Sequence, residues 1–77
     1  MKDYSIKINE VEDVKNLVKA LSKINGDFDI VDSHYVIDAK SILGVMSLDL
    51  SKTLKFRIVK CDNIDEVESV IKDYIVD

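Results

Sequence analysis

Apolar residues along this chain keep switching between two spacings, every second residue and every third to fourth, and this switching constrains the fold more than any single motif. Tyr4, Ile6 and Ile8 alternate with Ser5, Lys7 and Asn9, the pattern of a strand with one buried face. Val11, Val14, Leu17, Val18 and Leu21 then recur at helical spacing. Asn9 stands three residues before Glu12, which resembles a capping box with Asn9 as the cap. Gly26 follows the helical stretch and reads as a left-handed helix end. Residues 27–39 read as a hairpin: Phe28 and Ile30 alternate with aspartates, Asp32-Ser33-His34 turns the chain, and Tyr35, Ile37 and Ala39 form the return strand.

The second half repeats the scheme. Ser41 opens a short helix, Ser51-Lys52 turns, and Leu54, Phe56 and Ile58 alternate with Lys55, Arg57 and Val59. Asn63 and Glu66 give a second N-x-x-E cap, after which Ile64, Val67, Ile71, Tyr74 and Ile75 line one face of a final helix. The predicted order is β-α-β-β-α-β-α, an α+β sandwich in which helices cover one face of a sheet. The chain has 77 residues, no proline and two glycines, so one domain spanning 1–77 with short connections is expected.

Composition removes several classes of function. A charged fraction of 34% beside a hydrophobic fraction of 47% is that of a folded globular chain, not a disordered one. A net charge of −4 disfavours nucleic acid, whose affinity rests on lysine and arginine meeting phosphate. No apolar run approaches the roughly 20 residues that cross a bilayer, so no membrane insertion is expected. The first residues, MKDYSIKINE, lack the apolar region of a secretory signal, and a cytoplasmic location is the expectation. No nucleophile–base pair, metal-ligand spacing or glycine-rich phosphate loop occurs, so neither an enzyme nor a metal or organic cofactor is expected.

Four features remain as candidates. Cys61 is alone at the end of an apolar strand and reads as packing. His34, the only histidine, falls in the hairpin turn. Arg57 and Lys55 point out from the fourth strand and, with Lys7, compose a weak anion patch. Ser41 caps the segment Ile42-Leu43-Gly44-Val45-Met46, which is too short a helix to bury every apolar side chain; Gly44 within it serves either close packing or a local bend.

That segment, DAKSILGVMSLDL, strongly resembles the serine-site segment of HPr, the small histidine-containing phosphocarrier of the bacterial sugar phosphotransferase system. The resemblance is densest at Lys40-Ser41-Ile42 and Gly44-Val45-Met46-Ser47-Leu48, and length and element order extend it over the whole chain. It implies an open-faced β-sandwich, a four-stranded antiparallel sheet covered on one face by three helices. It further implies that Ser41 is a regulatory phosphorylation site and that Lys40, Ile42, Leu43 and Met46 dock partner proteins, with Ile42 and Met46 partly exposed. Expected partners are proteins: a serine kinase, or a transcriptional or metabolic regulator.

The family's second site is missing. Its phosphotransfer histidine, set in a motif with arginine and proline at the start of the first helix, falls near Glu10, where this chain reads Asn9-Glu10-Val11-Glu12-Asp13. Three carboxylates suit a helix N-terminus but repel a phosphoryl group there. The expectation is an HPr-like regulator or adaptor without histidine phosphotransfer. Two alternatives stand beside it: a phosphocarrier using Glu10 or His34 as an unusual acceptor, and a purely structural or self-associating domain.

Overall fold

The structure, a computed structural model, describes residues 2–76. Its elements are β1 (Lys2–Ile6), α1 (Val11–Ser22), β2 (Gly26–Asp32), β3 (Tyr35–Asp38), α2 (Ile42–Met46), β4 (Leu54–Cys61) and α3 (Ile64–Ile71), followed by a 3₁₀ turn over Lys72–Tyr74. The four strands form one antiparallel sheet in the order β1-β4-β2-β3. The fold is the open-faced α+β sandwich expected: a four-stranded antiparallel sheet with three helices, in the order βαββαβα.

Alternation decides which strand residues face the helices. Ile6 on β1, Phe28 and Ile30 on β2, and Leu54, Phe56 and Ile58 on β4 are all buried, whereas Ser5, Lys55 and Asp29 between them point to the open face. From the helices, Val14, Leu17, Val18 and Leu21 of α1, Val45 of α2, and Val67 and Ile71 of α3 complete one core. Phe56 sits at its centre, stacked on Phe28 with ring centroids 5.9 Å apart and tilted against Tyr4 at 6.3 Å.

Four local readings shift. Glu10, not Asn9, is the N-cap of α1, and no side chain caps that end. Gly26 does not end α1, which stops at Ser22 with Lys23 as a right-handed C-cap. Gly26 opens β2 instead, with φ +153°, opposite Cys61. A Cβ there would lie 2.5 Å from the Lys60 carbonyl oxygen, so close strand approach, not helix capping, requires the glycine. The approach accompanies a bulge: Asp27 pairs with Lys60 but Phe28 with Ile58, leaving Val59 as the extra residue on β4.

Ile8 and Ala39 lie just beyond their strands, though both are buried. The final helix divides, because its last residues serve the sheet. After the 3₁₀ turn Ile75 bridges to Ile6, the Lys7 N–H donates to the Tyr74 carbonyl (2.9 Å), and the Val76 N–H donates to the Ser5 carbonyl (2.8 Å). No helix among the described residues is long and apolar enough to cross a membrane.

Candidate functional site at the Ser41 helix

A tight turn delivers the chain from the sheet edge to α2. The Asp38 carbonyl accepts from the Ser41 N–H (2.9 Å), and the Asp38 carboxylate accepts from the Lys40 N–H (2.9 Å). Such local bonding is what aspartate does best at a turn. Ser41 follows in an extended conformation (φ −96°, ψ 103°), and its Oγ accepts from the Gly44 N–H at 3.3 Å. Ser41 is therefore the N-cap the sequence predicts. At the other end the Ser47 hydroxyl donates to the Gly44 carbonyl (2.6 Å).

Gly44 meets the sheet. A Cβ there would stand 2.7 Å from Ile37 Cγ2 and 3.1 Å from Ser41 Oγ, so of the two roles read from sequence, close packing is the one observed. Val45 is fully buried and pins the helix; Met46 packs against the core and is half-buried. The opposite side is open. Leu43 is 79% exposed and Ile42 38%, both next to the exposed Ser41. Five residues give little more than one turn, so a helix pinned by Val45 leaves Ile42 and Leu43 in solvent.

Lys40 is occupied elsewhere. Its ammonium donates to the carbonyls of Ile24 (2.8 Å) and Gly26 (2.9 Å) and lies 5.4 Å above the centre of the Phe28 ring. It ties the α1–β2 connection to the start of α2, a role that reading along the chain does not show. Lys7 does the same below the helix, donating to the carbonyls of Leu50 (3.3 Å) and Ser51 (3.0 Å). The carboxyl of Asp49, in that same loop, is held below its ordinary range by hydrogen bonds from the Ser51 hydroxyl (2.5 Å) and N–H (3.0 Å).

The other candidates fall on other elements. Glu10 is exposed at the start of α1, with Glu12 and Asp13 in the first turn. His34 is exposed in the β2–β3 turn. Cys61, half-buried at the end of β4, lines a surface hollow of about 210 Å³ with Asn25, Gly26, Lys60 and Asp62. The cations of the expected anion patch are engaged within the chain. Arg57 Nε pairs with Asp3 at 3.0 Å, Lys55 approaches the same carboxylate at 3.9 Å, and Lys7 is bound to carbonyls. Arg57, donating to Asp3, also holds that carboxyl below its ordinary range. Among the described residues no three potential metal ligands converge.

No family model matches this chain, and no curated protein matches it.

Proposed function

We propose that the chain is a divergent, HPr-like adaptor of the cytoplasm that docks a protein partner through the Ser41 helix and performs no histidine phosphotransfer. The observation carrying this reading is the exposure of Leu43 and Ile42 on a helix anchored from behind by Val45, immediately after an exposed serine. Exposed apolar side chains rimmed by polar ones mark docking surfaces. The resemblance of Lys40–Leu48 to the HPr serine segment, together with the βαββαβα order, supports the family. The carboxylates at Glu10, Glu12 and Asp13 support the loss of phosphotransfer, since they place negative charge where a phosphohistidine would need a positive helix end.

Phosphorylation of Ser41 is the proposed switch. Its Oγ would take the terminal phosphoryl group of ATP, losing its proton and releasing ADP. The new dianion would stand beside Leu43 and Ile42 and convert an apolar docking edge into a charged one. With Lys40 already bonded to two carbonyls, the phosphate gains no ready-made ion pair from that side chain.

The test is intact mass after incubation with ATP and the family's serine kinase, on the wild-type chain, Ser41→Ala and Leu43→Glu. The expected result is one phosphate on wild type, none on Ser41→Ala, and at least a tenfold slower gain on Leu43→Glu. No gain on wild type removes the switch; an unchanged rate on Leu43→Glu removes the docking face. Phosphoryl transfer from phosphoenolpyruvate through the system's first enzyme would overturn the loss of carrier activity.

A further inference from the structure

The sheet has two outer strands, and they are finished differently. Along β1, the Tyr74–Val76 segment covers the edge from Ser5 to Lys7. Strand β3 has no such cover among the described residues. Natural sheets blunt an open edge with brevity, charge, proline or a bulge; β3, Tyr-Val-Ile-Asp, has no proline and no bulge, and only its four-residue length and the terminal Asp38 moderate the edge. Tyr35 and Val36 are each 62% exposed on it.

Hydrogen-bond phase shows what this edge offers. Continuing the β2–β3 register past Asp29 and Asp38 places Phe28 opposite Ala39, and the Ala39 N–H donates to the Phe28 carbonyl (2.9 Å). Bonded pairs alternate along an antiparallel ladder, so Ile30–Ile37 and Asp32–Tyr35 are the other bonded pairs. The backbone N–H and C=O of Val36 therefore point away from β2, as does the N–H of Asp38.

We infer that this edge pairs with the same edge of a second copy, antiparallel and centred on Val36. In that register Val36 meets its own symmetry mate and exchanges both hydrogen bonds with it. On the open face Val31 and Val36, which are cross-strand neighbours, extend through the seam into Val36 and Val31 of the second copy. On the helix face Tyr35 lies opposite Ile37. The strand is thus complementary to itself in backbone and apolar contact, which makes a second copy its occupant. Its four residues limit the buried area, so the dimer belongs to the weak class below about 1,200 Å².

The inference does not depend on the Ser41 reading, and its test exploits the self-pairing of Val36. Val36→Lys and Val36→Glu each put like charges opposite one another, while the mixture of the two puts lysine opposite glutamate. Sedimentation velocity and amide spectra are followed from about 10 μM to about 1 mM, the span a weak association crosses. Wild type should dimerise with shifts at Val36 and Asp38, each variant alone should stay folded and monomeric, and the equimolar mixture should regain a heterodimer. A wild-type monomer throughout, a dimer contacting at α2 or β1, or a mixture no more associated than its components overturns the inference.

Discussion

Replacing Gly44 with alanine sets two effects of opposite sign against each other where α2 meets the sheet. Taken alone, alanine in mid-helix is favoured over glycine by about 1 kcal/mol. The structure supplies the opposing term. The new Cβ would stand 2.7 Å from Ile37 Cγ2, against the ~3.5–4.0 Å of an unstrained carbon contact, with Ser41 Oγ also near at 3.1 Å. Ile37 cannot swing away cheaply, because Cγ2 is fixed to the Cβ of a β-branched residue that is stiff at χ1. Overpacking of this kind costs about 1–3 kcal/mol. The clash wins: Gly44→Ala should destabilise by about 1 kcal/mol, lowering Tm by about 4–8 °C in a domain of this size. Ile37→Ala removes the obstructing methyl, and in that background Gly44→Ala should become stabilising by about 0.5–1 kcal/mol. Urea unfolding of the wild type, both single variants and the double variant closes the cycle. The packing argument fails if Gly44→Ala stabilises the wild type, or if its cost is the same with and without the Ile37 side chain.

Two further outcomes test the core and the surface charges. Phe56 is fully buried at the centre of the sheet, and Phe56→Ala should cost about 3–5 kcal/mol from a total of about 4–12 kcal/mol, read as a shift in urea midpoint; a loss below about 1 kcal/mol would contradict the packing described. Acid should weaken the fold by a defined route. Asp3 is held down by Arg57, Asp32 by Lys52, Asp49 by Ser51, and Glu68 by the Tyr4 hydroxyl and Lys2. Each folded value lies below the unfolded one, so the stabilisation is present above the unfolded carboxyl range near pH 4 and is lost as pH falls through the folded values. Tm should hold from about pH 7 to about pH 5 and fall below that, less steeply in Asp3→Asn and in high salt; a Tm that rises on acidification would refute it.

Much of this architecture is legible in the sequence because strand and helix periods are short-range signals. Phe28, Ile30, Leu54, Phe56 and Ile58 announce their buried face by alternation alone. Two caps are legible for a related reason. Ser41 Oγ reaches the Gly44 N–H, and Asn63 Oδ1 reaches the N–H groups of Asp65 (3.1 Å) and Glu66 (3.3 Å), all within three residues. Gly26 is different. A glycine after a helical stretch suits a helix end and a strand start equally, and the Lys60 carbonyl that decides between them lies far along the chain. The break after α3 is set by Ile75 reaching Ile6, again a distant contact.

The same division runs through the candidate site. The carboxylates at Glu10, Glu12 and Asp13 and the apolar residues after Ser41 can be read directly. Which of those residues stay in solvent depends on the burial of Val45, and the engagement of Lys40 depends on two carbonyls from another connection. A lysine beside a serine looks like a phosphate partner until the third dimension shows where its ammonium goes.

The seat of β4 between β1 and β2 governs how the chain reaches this fold. The β2–β3 hairpin closes locally, over a turn at Ser33-His34. Strand β1 has no such neighbour: its partner, β4, begins at Leu54, so pairing Ile6 with Leu54 closes a loop of most of the chain. Loop-closure entropy must be spent before that pairing returns anything, which places this topology among the slower of the small α/β folders. Without residues 54–61, β1 and the hairpin share no strand pairing, and that one strand alone joins them into a sheet.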